Sequence, residues 1–117
     1  MADNTPAQHA DTAAEAVRAV NHLTQQRQAG WEYPGDAYST VASLYEMTAR
    51  LPQAIGQTHR FMRDLEDTGR LRSDHDTLDR DLAYTYEALK EARDLAERLG
   101  AALSRAHQGL GPISYQE

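Results

Sequence analysis

The stretch SDHDTLDRDLAYTYEALKEARDLAERLGAALSRAHQGL, residues 73–110, decides the fold. Within it Leu78, Leu82, Thr85, Leu89, Ala92, Ala96, Leu99, Leu103, Ala106 and Leu110 succeed one another at alternating steps of four and three. Such steps return side chains to one side of an α-helix and, repeated over heptads, draw a seam for a partner helix. Asp74, Asp76, Asp79 and Asp81 stand near the start, and Arg98, Arg105 and His107 near the end, each sign suiting its end of the helix dipole. A helix of roughly 50 Å is predicted, starting near Ser73 or Asp74.

Upstream, Ala37, Val41, Leu44, Thr48, Leu51, Ile55, Thr58, Met62 and Leu65 keep the same rhythm. They predict a second long helix over about 36–68, capped by Asp36 and ended by Gly69. The phase persists through Pro52, which reads as a kink in one helix; the alternative is a break, with Pro52 opening a new helix. A shorter first helix is expected from Asp11 or Thr12 to Gln28, with Ala13, Ala16, Val17, Val20 and Leu23 on its apolar stripe. Thr12 and Glu15 fit a capping box, although Pro6 leaves open a start near Thr5. Gly30 would stop this helix, and Trp31 to Gly35 would link it tightly to the next.

No window alternates like a strand, so the expected fold is all-α: an antiparallel helical bundle with a short helix 1, a long helix 2 kinked at Pro52 and a long helix 3. Residues 1–10 read as a flexible N-terminal arm, 11–111 as a single domain and 112–117 as a tail. Helix 1 is expected beside the start of helix 2 and the end of helix 3. At roughly 25 Å it is too short to cover the far half of the hairpin. Ile55, Met62, Leu65, Leu71, Leu78 and Leu82 would then face water, which points to a homodimer, or a helical protein partner, covering the hairpin tip in a four-helix arrangement. A monomeric three-helix bundle is the alternative.

Composition narrows the function. At 117 residues and 13.1 kDa, with 40% hydrophobic residues, the chain suits one modest core. The absence of cysteine removes disulfides, thiol nucleophiles and thiolate metal sites. No apolar run reaches a membrane span, and the opening MADNTPAQHAD has neither the basic nor the apolar region of a signal peptide, so the expected address is the cytoplasm. A formal charge of −6 opposes non-specific attraction to nucleic acid or anionic lipid.

Candidate chemistry is thin. His9, His22, His59, His75 and His107 include no helical pair spaced for zinc, though His22 and His59 could meet across the bundle. The run Ser73 to Asp79 resembles a calcium loop but lacks its glycine and its closing glutamate, and reads better as helix capping. Arg60, Arg63, Arg70 and Arg72 concentrate positive charge at the tip, flanking the expected interface. A nucleic-acid role would set them on phosphates, whereas the interleaved Asp64, Glu66 and Asp67 favour local ion pairs. Trp31, Tyr33, Tyr38 and Tyr45 group at the first corner, as packing or as a patch for a partner or ligand. No nucleophile with its base, carboxylate pair or phosphate loop is present, so no enzyme and no cofactor are expected. A protein–protein interaction or assembly module heads the readings. A nucleic-acid-associated accessory protein follows, then a small-ligand or metal binder.

The segments Ala19-Val20-Asn21-His22, Ala29 to Tyr38, Arg50-Leu51-Pro52-Gln53-Ala54 and Gly69-Arg70-Leu71-Arg72 make the chain similar to small uncharacterised helical proteins of actinobacteria. That resemblance implies an association with integrated plasmids or other mobile elements. Eleven arginines against one lysine fit a high-GC coding sequence. Secreted helical hairpins with a Trp-X-Gly turn are matched less well. Here Trp31 is followed by Glu32 and Tyr33, and Lys90 stands four residues after Tyr86 where they carry an acid.

Overall fold

The computed structural model describes residues 5–26 and 30–116. It holds three helices, α1 (Pro6–Leu23), α2 (Pro34–Asp67) and α3 (Leu78–Leu110), and no strand among the described residues. The all-α class and the long antiparallel α2–α3 hairpin are as the heptad spacing predicts. No helix among the described residues is long and apolar enough to cross a membrane.

The first helix departs most from expectation. Its capping box is made by Thr5 and Gln8, not Thr12 and Glu15: the Gln8 amide donates to Thr5 Oγ1 at 3.2 Å and the Thr5 amide to Gln8 Oε1 at 2.7 Å. Pro6 takes the first helical position, where a missing N–H costs nothing. The helix therefore begins inside the supposed arm and ends at Leu23, well before Gly30 and the expected Gln28, which lies outside the described residues with Arg27, Ala29, Met1 to Asn4 and Glu117. This lengthens the connection to α2, and α1 packs on neither long helix. The placement beside α2 and α3 is thus overturned, because a stripe mainly of alanine and valine on a long tether offers little area to hold it.

Helix α2 runs through Pro52 without interruption, so the residue opens no new helix. Asp36 serves as its third residue, not its cap, and reaches back to accept from the Glu32 amide at 2.7 Å and the Tyr33 amide at 2.9 Å. At the other end Gly69, at φ 72, turns the chain out of the helix while its amide bonds Glu66 O at 3.0 Å. Helix α3 starts at Leu78, later than the aspartates suggest, since Ser73 and Thr77 hydroxyls both donate to Asp81 Oδ2, at 2.5 and 2.9 Å, and hold 73–77 as a turn. Asp74 and Asp76 consequently precede the helix.

The seam itself is displaced from the strict heptad. Leu51, Thr58, Thr85, Leu99 and Ala106 are exposed, while Pro52, His59, Tyr86, Gly100 and His107 turn inward. An α-helix has about 3.6 residues per turn, so a seven-residue repeat slips by about 20° per heptad and neighbouring positions rotate into the interface. Thr48 at 3% and Leu82 at 7% exposure are among the few buried side chains.

Candidate interaction surface

The hairpin is a two-helix ribbon, and its two flanks differ. Contacts across the seam define the first flank. The His59 imidazole stacks on Tyr86 with centroids 4.6 Å apart, and the Arg63 guanidinium lies 5.6 Å over the same ring. Tyr86 Oη donates to Glu66 Oε1 at 2.9 Å. Burial of the ring, then the Glu66 carboxylate, push the Tyr86 hydroxyl above its ordinary value. The buried His59 Nε2 has no hydrogen-bond partner. Nearby, Gly56 admits the Arg93 side chain, whose Cζ would stand 3.3 Å from a Cβ there. Nearer the first corner Tyr38 stacks on His107 at 4.1 Å.

The tip arginines make none of the expected ion pairs. Among the described residues the ion pairs within 4.0 Å are Arg18–Glu15 and Arg50–Glu46. Arg63 takes the Tyr86 ring and Glu66 the Tyr86 hydroxyl, so aromatic stacking has replaced local charge pairing.

Of the apolar residues expected at the tip, Leu82 is buried in the seam, and Ile55, Met62, Leu65, Leu71 and Leu78 are half-buried. Arg60, Arg63 and Arg72 are exposed around them. Other large side chains of the hairpin are barer: Phe61 at 59%, Leu95 at 49%, Leu99 at 50% and Tyr84 at 79% exposure. Sequence periodicity missed Leu99 as a surface residue because it stands on the strict heptad, and missed Phe61 and Leu95 because they stand off it.

The aromatic group at the first corner divides. Tyr33 meets Tyr115 edge-on at 5.7 Å, and the Tyr115 hydroxyl bonds the Glu32 carbonyl, so the supposed tail folds back onto the corner. Trp31, Tyr33, Pro34, Ala37 and Tyr115 line an open depression of about 380 Å³ there. Tyr38 instead belongs to α3 through His107, and Tyr45 is exposed. Among the described residues no three His, Asp or Glu side chains converge as for a metal ion. His22 sits exposed on the separate α1 and does not meet His59. No family model, curated protein or solved structure matches the chain.

Proposed function

We propose that the chain is a non-enzymatic assembly module that associates with itself, as a homodimer, through the hairpin and its tip. One observation carries this reading. The accessible surface is 9792 Å², whereas a compact monomer of 13.1 kDa exposes about 6,400 Å². The excess, roughly 3,400 Å², includes the surface of the undocked α1 as well as that of the hairpin, and it exceeds the surface a stable interface takes from one partner, about 800 Å². The radius of gyration, 19.3 Å, likewise stands above the about 13 Å of a compact domain of this length. A hairpin with so few buried side chains lacks the hydrophobic stabilisation to stand alone, and a second copy supplies it. Self-association makes the thermal midpoint rise with protein concentration. A midpoint constant over a hundredfold dilution refutes it.

Arg60, Arg63 and Arg72, exposed and outside the ion pairs found among the described residues, favour a second reading, a nucleic-acid-associated accessory protein. Binding to duplex DNA that weakens steeply with salt supports that reading, and no binding at low salt removes it.

A further inference from the structure

The open depression at the first corner combines aromatic rings with a carboxylate. Trp31, Glu32, Tyr33, Pro34, Ala37 and Tyr115 line it, over about 380 Å³. Tyr33 and Tyr115 meet at 64° with centroids 5.7 Å apart, so the wall they form turns a corner. Trp31 is half-buried, and the two tyrosines are exposed. The Tyr115 hydroxyl donates to the Glu32 carbonyl and ties the closing segment in place.

Charge gives this depression its sign. Glu32 brings a carboxylate, no Lys, Arg or His is among the lining residues, and neither ion pair among the described residues involves Glu32. The depression lies at the start of α2, where the peptide dipoles leave about half a positive charge. Asp36 offsets it: its Oδ2 accepts from the Tyr33 amide at 2.9 Å and the Glu32 amide at 2.7 Å, and these bonds hold its carboxyl below the ordinary range. The outcome is a negative recess walled by aromatic faces, which themselves attract cations through the ring quadrupole.

We infer that this corner binds a small quaternary ammonium ion of the choline class, with Trp31, Tyr33 and Tyr115 around its methyl groups and Glu32 opposing its charge. A primary ammonium suits the recess less, because it is strongly hydrated and brings no methyl surface to bury against the rings. A proline-rich peptide, another ligand of aromatic grooves, makes no use of the Glu32 charge, and the Tyr115 hydroxyl is already committed and not free to bond a peptide carbonyl. The inference does not depend on self-association, since the corner lies at the opposite end of the hairpin from its tip.

Trp31, the single tryptophan, reports occupancy directly. Choline chloride titrated at constant ionic strength should change its emission saturably, with half-saturation in the millimolar range. The neutral isostere of choline, in which a tert-butyl group replaces the trimethylammonium, should bind at least several-fold more weakly. That comparison uses the parent chain and stands whatever the variants do. Glu32→Gln should weaken choline binding several-fold and Tyr33→Leu abolish it, whereas Tyr33→Phe retains it, all with the parent's circular dichroism. Equal responses to choline and its isostere, or no saturable response to choline, overturn the proposal. So does choline binding of parental strength in Glu32→Gln or Tyr33→Leu. A response to oligoproline, or to phosphatidylcholine vesicles, with none to choline assigns the corner to a peptide or a lipid surface and likewise overturns it.

Discussion

Thr48 of α2 and Gly100 of α3 meet so closely that a Cβ at position 100 would stand 3.3 Å from Thr48 Oγ1. The hydroxyl is already committed, donating to Tyr45 O at 2.8 Å, so the buried threonine is satisfied and has little freedom to retreat. Gly100→Leu therefore forces the helices apart and lowers stability by about 1–3 kcal/mol in denaturant unfolding followed by circular dichroism. Gly100→Ala behaves differently: a gain of about 1 kcal/mol in helix propensity offsets the tight contact, and its midpoint stays near the parent's.

Two carboxylates tie stability to acid pH. Amides of Tyr33 and Glu32 hold Asp36 below the ordinary value of 3.8, and hydroxyls of Ser73 and Thr77 do the same for Asp81. A depressed folded value means their contribution is complete above 3.8 and is lost as pH falls through the lower folded values. The doubly substituted Asp36→Asn, Asp81→Asn protein should show a smaller fall in thermal midpoint between pH 5 and about pH 2 than the parent. An equal fall in both contradicts the assignment.

The corner contact has an intrinsic reporter, since Trp31 is the single tryptophan and shares its depression with Tyr115. Tyr115→Ala removes the ring against Tyr33 and the bond to the Glu32 carbonyl. Trp31 emission should shift to the red, with helical content preserved. An unchanged spectrum would show that the closing segment does not shield the corner.

Charge placed at the exposed leucines of α3 should separate association from folding. Leu95→Glu with Leu99→Glu puts like charges on leucines that are 49% and 50% exposed, so helicity in dilute solution persists while the assembled mass falls to that of one chain. Lys90→Glu, a charge change at an already polar position of α3, leaves the mass unaltered. Sedimentation velocity distinguishes these outcomes.

The long helices were legible because Leu44, Ile55, Met62, Leu78, Leu89 and Leu103 carry the period in residue type as well as in spacing, and they do face the seam. The polar fillers were not. His59, Tyr86 and His107 enter through the drift between the heptad and the helical turn, and nothing in their type announces it. Two capping boxes competed at the first helix. Thr5 with Gln8 prevailed over Thr12 with Glu15 because Pro6 is preorganised for the first helical position, and Thr12 Oγ1 bonds Gln8 O inside the helix instead. With α1 packed on neither long helix, bare surface at Phe61, Tyr84, Leu95 and Leu99 adds to the tip that the periodicity singles out.

Size-exclusion chromatography coupled to light scattering tests self-association most directly. A mass of twice 13.1 kDa at micromolar concentration is expected for the full chain, dissociating on dilution. A mass of 13.1 kDa that persists up to millimolar concentration would contradict it.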